Sequence, residues 1–383
     1  MERLRELDGL RAFALLGILA VNIWFFADPW TFSGRISPDH SSATDVAVRF
    51  AAATLFEGKF YILFSFLFGY SFHLQEQAAS RAQLSPVPRT LRRLTGLAVL
   101  GLAHGMLLYY GDILLTYAVI GLILLGLRSI SQRGAILAAV GITAAMGALL
   151  IAIGAVVAAV NAPMESVLAG PDLATLTAGP GAAVAANLES YLVVLPSVLF
   201  FQGPLALSMF LLGLAAARSG VLERRLNSSE LRRIAFICLP IGLLAAGSQA
   251  YLLYYADRER FSLLATGVTT LTAPLQTAGY VCLVLLLFRS RVGRAVLKVL
   301  APTGRMALTN YVGQSLVLAL LFTGLGLGLT NVLPPALVLA VVVALFTVQV
   351  VLSRIWLSRF NAGPLESLLR RVTYGRRHRK PAG

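Results

Sequence analysis

The sequence predicts an all-α protein that crosses a lipid bilayer many times. Of its 383 residues, 57% are hydrophobic and only 13% are charged, which is about half the charged fraction of a soluble domain. Apolar runs of ~20 residues, the length that a membrane-spanning helix needs, recur from Leu10 to Trp356 with short polar breaks. These observations predict a single transmembrane helical domain over residues 1–360 and a basic tail over residues 361–383.

Ten transmembrane helices are predicted from the apolar runs. Their ranges are 10–28, 50–73, 93–110, 113–128, 134–160, 191–217, 234–255, 263–288, 305–327 and 334–357. The first run has no small-residue cleavage site after it, so it is interpreted as a retained helix and not as a signal peptide. Residues 161–190 hold three acidic residues and no Lys or Arg, and they are predicted to form the largest external loop.

The distribution of Lys and Arg predicts the orientation of the chain. In the ten-helix arrangement, 27 of the 32 basic residues lie on the side of the N-terminus. Four lie on the other side, and Lys59 lies within the second helix; the four are Arg35, Arg49, Arg258 and Arg260. Because Lys and Arg accumulate in cytoplasmic loops, both termini are predicted to be cytoplasmic.

The net charge of +15 is explained by these loops. The basic residues do not form a surface with interleaved aromatic side chains, so the predicted partner is the lipid bilayer and not a nucleic acid. The two cysteines, Cys238 and Cys282, fall in separate apolar runs without the spacing of metal ligands. No metal site is predicted.

The first helix carries polar residues on one face. Ionisable side chains inside a membrane are costly unless they are paired or face water, so each is a candidate functional residue. Asp8 and Asn22 lie three residues before and eleven residues after Arg11, which places all three on the same side of a helix. Asp8 is predicted to pair with Arg11 at the membrane surface. For Arg11 and Asn22, a binding role and a structural role both stay open.

The second helix contains the sequence Glu57-Gly58-Lys59. Lys59 is predicted to lie in the outer half of the helix, where its long side chain can extend to the membrane surface. Glu57 and Lys59 are two residues apart and project to nearly opposite faces. Each is therefore predicted to pair with another helix.

The third helix contains His104, with Gly101 on the same face. A histidine in a membrane helix is often a hydrogen-bonded packing residue, but an imidazole that titrates near neutral pH is also the usual general base. Two further histidines lie near the membrane, His40 in the first external loop and His73 at the inner end of the second helix. His104 is the preferred catalytic candidate.

The turn after the third helix contains Asp112. Its carboxylate can cap the start of the fourth helix. It can also orient His104 if the turn folds inward, as carboxylates do in acyl-transfer sites. Both interpretations stay open.

Two later helices show interruptions or polar stripes. Pro196, Gly203 and Pro204 predict a kink or break in the sixth helix that lines a cavity. The ninth helix starts near Gly304-Arg305, a predicted phosphate site at a helix N-terminus. Further along this helix come three buried hydrogen-bonding groups, which are Asn310, Tyr311 and Gln314.

Several segments together carry a resemblance to a known family. They are Leu7-Asp8-Gly9-Leu10-Arg11, Leu16-Gly17-Ile18-Leu19, Asn22-Ile23, Lys59-Phe60, Leu63-Phe64, Leu67-Phe68-Gly69, His104-Gly105, Gly111-Asp112-Ile113-Leu114, Ala273-Pro274, Gln276, Gly279-Tyr280, Gly304-Arg305-Met306-Ala307-Leu308-Thr309-Asn310-Tyr311, Gln314 and Gly363-Pro364-Leu365-Glu366. Over nearly its whole length the chain resembles the YeiB family of bacterial inner-membrane proteins, whose C-terminal part is a domain of unknown function.

The resemblance implies an acyltransferase in a bacterial inner membrane. The family is similar to heparan-α-glucosaminide N-acetyltransferase and, more distantly, to the membrane acyltransferases that O-acetylate polysaccharides. In the latter, a first-helix arginine is followed eleven residues later by a histidine; here Arg11 keeps its place and Asn22 replaces the histidine. The glucosaminide enzyme has a catalytic histidine between its first and second helices, where this chain has only His40 without a matching motif.

The leading hypothesis is therefore acyl transfer from a cytoplasmic acyl-CoA, such as acetyl-CoA, to a hydroxyl or amine of a small-molecule or glycan acceptor. His104 would be the base, oriented by Asp112, and Arg11 and Arg305 would bind the phosphates of the donor. The remaining predicted site residues are candidates for the oxyanion or for substrate binding, and they are Asn22, Lys59, Asn310, Tyr311 and Gln314. The alternative is a solute transporter or exporter that uses the same buried polar groups. A homodimer stays open.

Overall fold

The computed structural model describes residues 5–33, 37–160, 172–221, 226–256 and 258–374. Its helices are α1 (Arg5–Asn22), α2 (Trp24–Ala27), α3 (Trp30–Ser33), α4 (Ala43–Phe56), α5 (Phe60–Arg81), α6 (Pro86–Leu107), α7 (Leu114–Gly126), α8 (Gln132–Val160), α9 (Leu173–Thr177), α10 (Pro180–Ser197), α11 (Gly203–Ser219), α12 (Ser228–Tyr254), α13 (Arg258–Arg289), α14 (Arg291–Arg305), α15 (Ala307–Phe322), α16 (Pro335–Arg359) and α17 (Pro364–Tyr374). A 3-10 turn spans Pro38–His40, and a π-helical turn, Val198–Gln202, connects α10 and α11. The described residues contain no β-strand.

The all-α membrane fold is confirmed. Seven helical segments of the described chain are long and apolar enough to cross a membrane, and three of them, Arg5–Ala27, Ala43–Arg81 and Pro180–Ser219, each join two helices. The predicted helices 93–110, 113–128 and 305–327 are not among these seven. Ten crossings with cytoplasmic termini therefore stay a prediction.

Contacts between neighbouring helices define two ends of the bundle. Arg11 Nη2 of α1 donates to Ser71 Oγ in the middle of α5 at 2.7 Å, and Arg93 lies close by in the first half of α6. We call this the basic end. At the opposite end, the backbone N–H of Asn331, between α15 and α16, donates to Ala27 O at 2.8 Å. The large side chains of α1, α5, α7 and α11 fill the core between these ends.

The predicted second helix is divided into α4 and α5. Between them Gly58 has a φ of +80°, a conformation that costs glycine little and other residues considerably more. The prediction of one continuous helix over 50–73 is therefore wrong, and Lys59 lies in a break and not within a helix. The residues on both sides of the break are apolar, and hydropathy does not depend on the backbone angle of one glycine. The sequence pattern therefore does not reveal the break.

Side chains of α13 hydrogen-bond carbonyl groups on both sides of this break. The bonds are Gln276 Nε2 to Thr54 O at 3.1 Å, Tyr280 Oη to Leu55 O at 3.0 Å and Thr277 Oγ1 to Lys59 O at 3.1 Å. Inside a membrane an irregular backbone is tolerated only where protein or a water-filled cavity satisfies it. The polar stripe on α13 therefore stabilises the interrupted helix.

The predicted sixth helix is also interrupted, as its prolines indicate. The π-helical turn lies between Pro196 and Pro204, and proline has no N–H to continue the regular helical bonds. The predicted kink is confirmed. The helical segment starts at Pro180, inside the predicted loop 161–190, so this loop is shorter than expected. Residues 161–171 of the loop lie outside the described part of the chain.

The predicted ninth helix begins later than expected. Gly304 and Arg305 are the last residues of α14, and α15 begins at Ala307. α14 is amphipathic and packs across α1, where a Cβ at Gly304 would lie 1.8 Å from Asp8 O. Glycine is thus required for this crossing of α14 over α1. It does not mark the start of the ninth helix.

Candidate functional site

A buried histidine–aspartate pair lies at the junction of α6 and α7. The distance from His104 Nδ1 to Asp112 Oδ1 is 2.8 Å, and both side chains are almost completely buried, at 1% and 0% exposure. Because a carboxylate only accepts hydrogen bonds, Nδ1 carries the proton, and in a neutral imidazole the lone pair of Nε2 is then free. Nε2 has no hydrogen-bond partner among the described residues. The predicted contact is confirmed, and it leaves one ring nitrogen available as a base.

The turn folds inward because Gly101 leaves space for it. A Cβ at Gly101 would lie 2.4 Å from the Leu115 backbone nitrogen and 2.9 Å from Asp112 Oδ2. The same Oδ2 accepts a hydrogen bond from the Leu115 N–H at 2.9 Å, which satisfies one of the free amide groups at the start of α7. Asp112 therefore both caps α7 and orients His104.

A cavity of about 630 Å³ lies next to this pair. It is bounded by α1, both interrupted helices, α12, α13 and α15, and its volume is within the range of small-molecule sites. Three of the predicted site residues line it, and they are Asn22, Lys59 and Tyr311. The fold thus brings Asn22 and Tyr311, which are 289 positions apart in the sequence, to the same cavity.

One layer of side chains separates the cavity from His104. The His104 ring lies 5.1 Å from the Tyr311 ring and 6.2 Å from the Tyr109 ring, measured between centroids. Both tyrosines line the cavity, as do Gly111 and Ile113 on either side of Asp112.

Arg49 was not predicted as a site residue. The sequence places it in a segment on the external side, and the structure shows that it lies in α4, is 6% exposed and lines the cavity. Its guanidinium lies 4.0 Å from the centroid of the Trp24 ring, and its Nη2 donates to Thr31 Oγ1 at 3.1 Å. The sequence signal that could have identified Arg49 as a site residue was its position directly before the apolar run that starts at Phe50.

Lys59 is buried and does not reach the membrane surface. It is 2% exposed, and its Nζ donates to Ala53 O of α4 at 3.1 Å. The prediction that Lys59 pairs with another predicted helix is therefore wrong. The break at Gly58 turns the ammonium back towards α4 and the cavity.

The predicted Asp8–Arg11 pair is confirmed at the basic end. Arg11 Nη1 lies 2.7 Å from Asp8 Oδ1, and neither residue lines the cavity. Asn22 lies ~16 Å further along α1, at 1.5 Å per residue. α1 therefore spans the distance between the basic end and the cavity.

The helix N-terminus next to the predicted phosphate site at Gly304-Arg305 already holds a carboxylate. The N-terminus of α15 is occupied by the carboxylate of Glu366 from α17, whose Oε1 accepts from the backbone N–H groups of Leu308 and Thr309 at 2.7 and 3.1 Å. Arg305 Nη2 donates to Asn361 O at 3.1 Å. An anion of the chain itself fills the position that a phosphate would take.

Asn310 and Gln314 belong to a buried hydrogen-bond network between α15 and α16 and do not line the cavity. Asn310 Nδ2 donates to Ser353 Oγ at 3.0 Å, and Gln314 Nε2 donates to Gln349 Oε1 at 2.9 Å. Gln349 Nε2 in turn donates to Asn310 O at 2.9 Å. These contacts hold two membrane helices together.

The two further histidines predicted near the membrane, His40 and His73, have local partners. His40 Nε2 lies 3.1 Å from Asn331 O, and His73 Nε2 lies 3.0 Å from Gln77 Nε2. Neither lines the main cavity. The described residues contain no group of three His, Cys, Asp or Glu side chains that could hold a metal ion.

Comparisons with known proteins give relatives over the whole length. YxaH of Bacillus subtilis (strain 168) is 31% identical, with 97% of this chain and 94% of the relative covered. YeiB of Escherichia coli (strain K12) is 31% identical, with 97% of both chains covered. A 39.9 kDa protein from the amylase 3' region of Bacillus acidopullulyticus is 29% identical, with 98% and 95% covered. All three are described as uncharacterised.

A family model with the description "Protein of unknown function (DUF418)" matches residues 216–376. The match starts near the end of α11 and includes the α13 stripe and Glu366, but not His104 and Asp112. No solved structure matches the chain.

Proposed function

Because this chain belongs to the YeiB family, whose relatives named above have no assigned activity, we propose that it is an integral-membrane acyltransferase. The donor is an acyl-CoA on the cytoplasmic side of a bacterial inner membrane. The acceptor is a hydroxyl or amine of a small molecule or glycan. The observation that carries this proposal is the buried His104–Asp112 pair, whose free nitrogen lies one side-chain layer from a cavity.

His104 is the proposed general base. Its Nε2 takes the proton of the acceptor while the acceptor oxygen or nitrogen attacks the thioester carbonyl. The tetrahedral intermediate collapses, the carbon–sulfur bond breaks, and the thiolate of coenzyme A takes the proton from Nε2. Asp112 keeps the proton on Nδ1 and stabilises the imidazolium that forms between these steps.

Tyr311 and Asn22 are the proposed hydrogen-bond donors to the oxyanion. Both line the cavity, and the Tyr311 ring lies beside the His104 ring. A preorganised donor in a site with little water stabilises developing charge strongly. Asn310 is not proposed for this role, because its amide forms a hydrogen bond between α15 and α16.

The donor phosphates are proposed to bind at the basic end, near Arg11. This places the coenzyme A nucleotide on the side where the sequence concentrates its arginines, and the flexible arm of the donor would run along α1. Arg305 is the second candidate, through its guanidinium alone, since the adjacent helix N-terminus already holds Glu366.

The test is turnover of acetyl-CoA labelled in the acetyl group, with protein purified in detergent. Wild type is expected to bind acetyl-CoA and to release labelled acetate slowly without acceptor, whereas His104→Ala binds it and does not cleave it. His73→Ala is the matched control, because His73 lies away from the cavity. Equal cleavage by wild type and His104→Ala would refute the role of His104.

Transport is the second candidate function. Two interrupted membrane helices, at Gly58 and at Val198–Gln202, line the same cavity, and helix breaks of this kind surround the substrate sites of many transporters. A transporter would show solute flux in sealed proteoliposomes and no thioester cleavage. Cleavage of acetyl-CoA that depends on His104 would exclude transport as the sole function.

A further inference from the structure

Two cationic side chains line the cavity on its α4 side. Arg49 is 6% exposed and Lys59 is 2% exposed, and both belong to its lining. Lys59 Nζ bonds Ala53 O, one helical turn after Arg49 on α4. A buried charge is costly unless it is paired or serves a ligand.

Neither cation uses all of its hydrogen-bond donors. Arg49 Nη1 is buried and has no partner among the described residues. Lys59 Nζ has three N–H groups, and its hydrogen bond is to Ala53 O. An unsatisfied buried donor carries the full cost of leaving water, so a ligand that accepts these bonds would bind favourably.

Two carboxylates lie near these cations and limit their charge. Asp28 Oδ2 is 3.9 Å from Arg49 Nε, beyond hydrogen-bond distance, and Asp28 Oδ1 already accepts from the Trp30 N–H at 3.0 Å. Glu57 lines the cavity next to Lys59. Neither carboxylate accepts a hydrogen bond from Arg49 Nη1, so this buried donor has no acceptor among the described residues.

The rest of the cavity is rich in apolar side chains. The lining from α10 and α11 includes Val194, Val198, Phe201 and Leu205, whereas α13 contributes mainly threonine and glutamine side chains. A free inorganic anion would leave these surfaces without contact, whereas an alkyl or isoprenoid chain would cover them. The cavity therefore combines a charged side, which holds Arg49, Lys59 and the carboxylate of Glu57, with a larger apolar surface.

We infer that the cavity binds an amphiphile with a phosphate or carboxylate head group, which Arg49 and Lys59 hold while the apolar part lies against α10 and α11. This inference goes beyond acyl transfer, because it holds equally for an acceptor lipid, an acidic solute in transport or a regulatory ligand. It uses neither His104 nor coenzyme A.

The probe is radiolabelled dodecyl phosphate, and its binding is measured by scintillation proximity on protein in nanodiscs of uncharged net composition. Dodecanol and inorganic phosphate are the competitors, since one has the chain without the charge and the other the charge without the chain. Unlabelled dodecyl phosphate is expected to displace the probe at a concentration at least 10-fold lower than either, from the free energy of a charge-assisted hydrogen bond.

Three variants test the proposed contacts. Arg49→Gln and Lys59→Met are each expected to weaken binding by about 10-fold or more. Asp28→Asn is expected to strengthen binding severalfold, because it removes the carboxylate nearest to Arg49; a purely structural Arg49 would not show this effect. Arg260→Gln is the matched control, since Arg260 stacks on Phe261 outside the cavity.

Three outcomes would overturn the inference. Thermal unfolding is used to show that Arg49→Gln and Lys59→Met are folded. If both folded variants bind the probe like wild type, the head-group contact is refuted. If dodecanol displaces the probe as well as unlabelled dodecyl phosphate does, the need for a charged head group is refuted. Equal displacement by inorganic phosphate refutes the amphiphile and assigns the site to free anions. Acetyl-CoA is absent from every arm, so the result is independent of the proposed acyl transfer.

Discussion

At the scale of single residues, the site depends on small groups that permit close contacts. Gly101 allows the start of α7 to approach α6, and this brings Asp112 to His104. The same carboxylate then caps the helix that follows. The position of α7 and the orientation of His104 therefore depend on the same contacts. A substitution of Gly101 or of Asp112 is expected to affect both.

Asp112→Asn tests the orientation of the imidazole. An amide can present its N–H to Nδ1 and favour the tautomer with the proton on Nε2, so the free base is lost while the side-chain volume is kept. We expect acetyl-CoA cleavage to fall by about 10²–10⁴-fold with little change in acetyl-CoA binding. Asp172→Asn is the control, because Asp172 caps the exposed helix α9. Unchanged cleavage in Asp112→Asn would remove Asp112 from the mechanism.

Gly101→Ala tests the inward turn. The added methyl group would collide with the backbone of α7 at Leu115, 2.4 Å away, and would displace Asp112 from His104. We expect a loss of stability of about 1–3 kcal/mol, the usual cost of overpacking, together with a loss of cleavage. Gly141→Ala is the control, since nothing lies within 4 Å of its Cβ position. Thermal unfolding and cleavage are measured on both variants.

At the scale of helices, polar side chains from distant parts of the chain complete helix ends and breaks. The stripe on α13 satisfies the carbonyls of the α4–α5 break. Glu366 of α17 satisfies the amides at the start of α15 and also accepts from Thr309 Oγ1 at 2.6 Å. These contacts fix α17 against the basic end, where it also packs on α6.

Glu366→Ala is expected to release α17. Two backbone N–H groups and one hydroxyl would lose their acceptor, so we expect a loss of stability of about 1–3 kcal/mol and faster proteolysis after Arg370 and Arg371. Thermal unfolding and limited trypsin digestion provide the measurement. Glu230→Ala is the comparison, because Glu230 belongs to an exposed capping box on α12. Protection from trypsin equal to that of wild type would show that α17 is held by packing alone.

At the scale of the whole molecule, basic residues concentrate at one end of the bundle, and the cavity lies towards the other. In a membrane this asymmetry predicts that the basic end faces the cytoplasm. A donor that binds near Arg11 and an acceptor that reaches the cavity would then approach from opposite sides.

Cysteine labelling in intact cells tests this orientation. In a protein with Cys238 and Cys282 replaced by alanine, we expect Ser41→Cys to react with a membrane-impermeant maleimide added outside. Ser290→Cys at the basic end is expected to react only after the cells are permeabilised. Both serines are exposed. The reverse pattern would invert the predicted topology.

The sequence by itself determined the class of the protein, most of its membrane helices and the identity of its best candidate pair. Apolar length, proline and the spacing of His104 and Asp112 are local properties, and each carries its information within about one or two helical turns. The kink near Pro196 and the cap at Asp112 were predictable for that reason.

Only the tertiary structure decided which polar residues share the cavity. Arg49 is buried because Trp24, Asp28 and Thr31 surround it, and the N-terminus of α15 is closed because Glu366 reaches it from 57 and 58 residues away. Such contacts depend on how helices pack against each other, and hydropathy along one helix contains no information on them. The physical reason is that burial and pairing are properties of neighbours in space, whereas composition and periodicity are properties of neighbours in sequence.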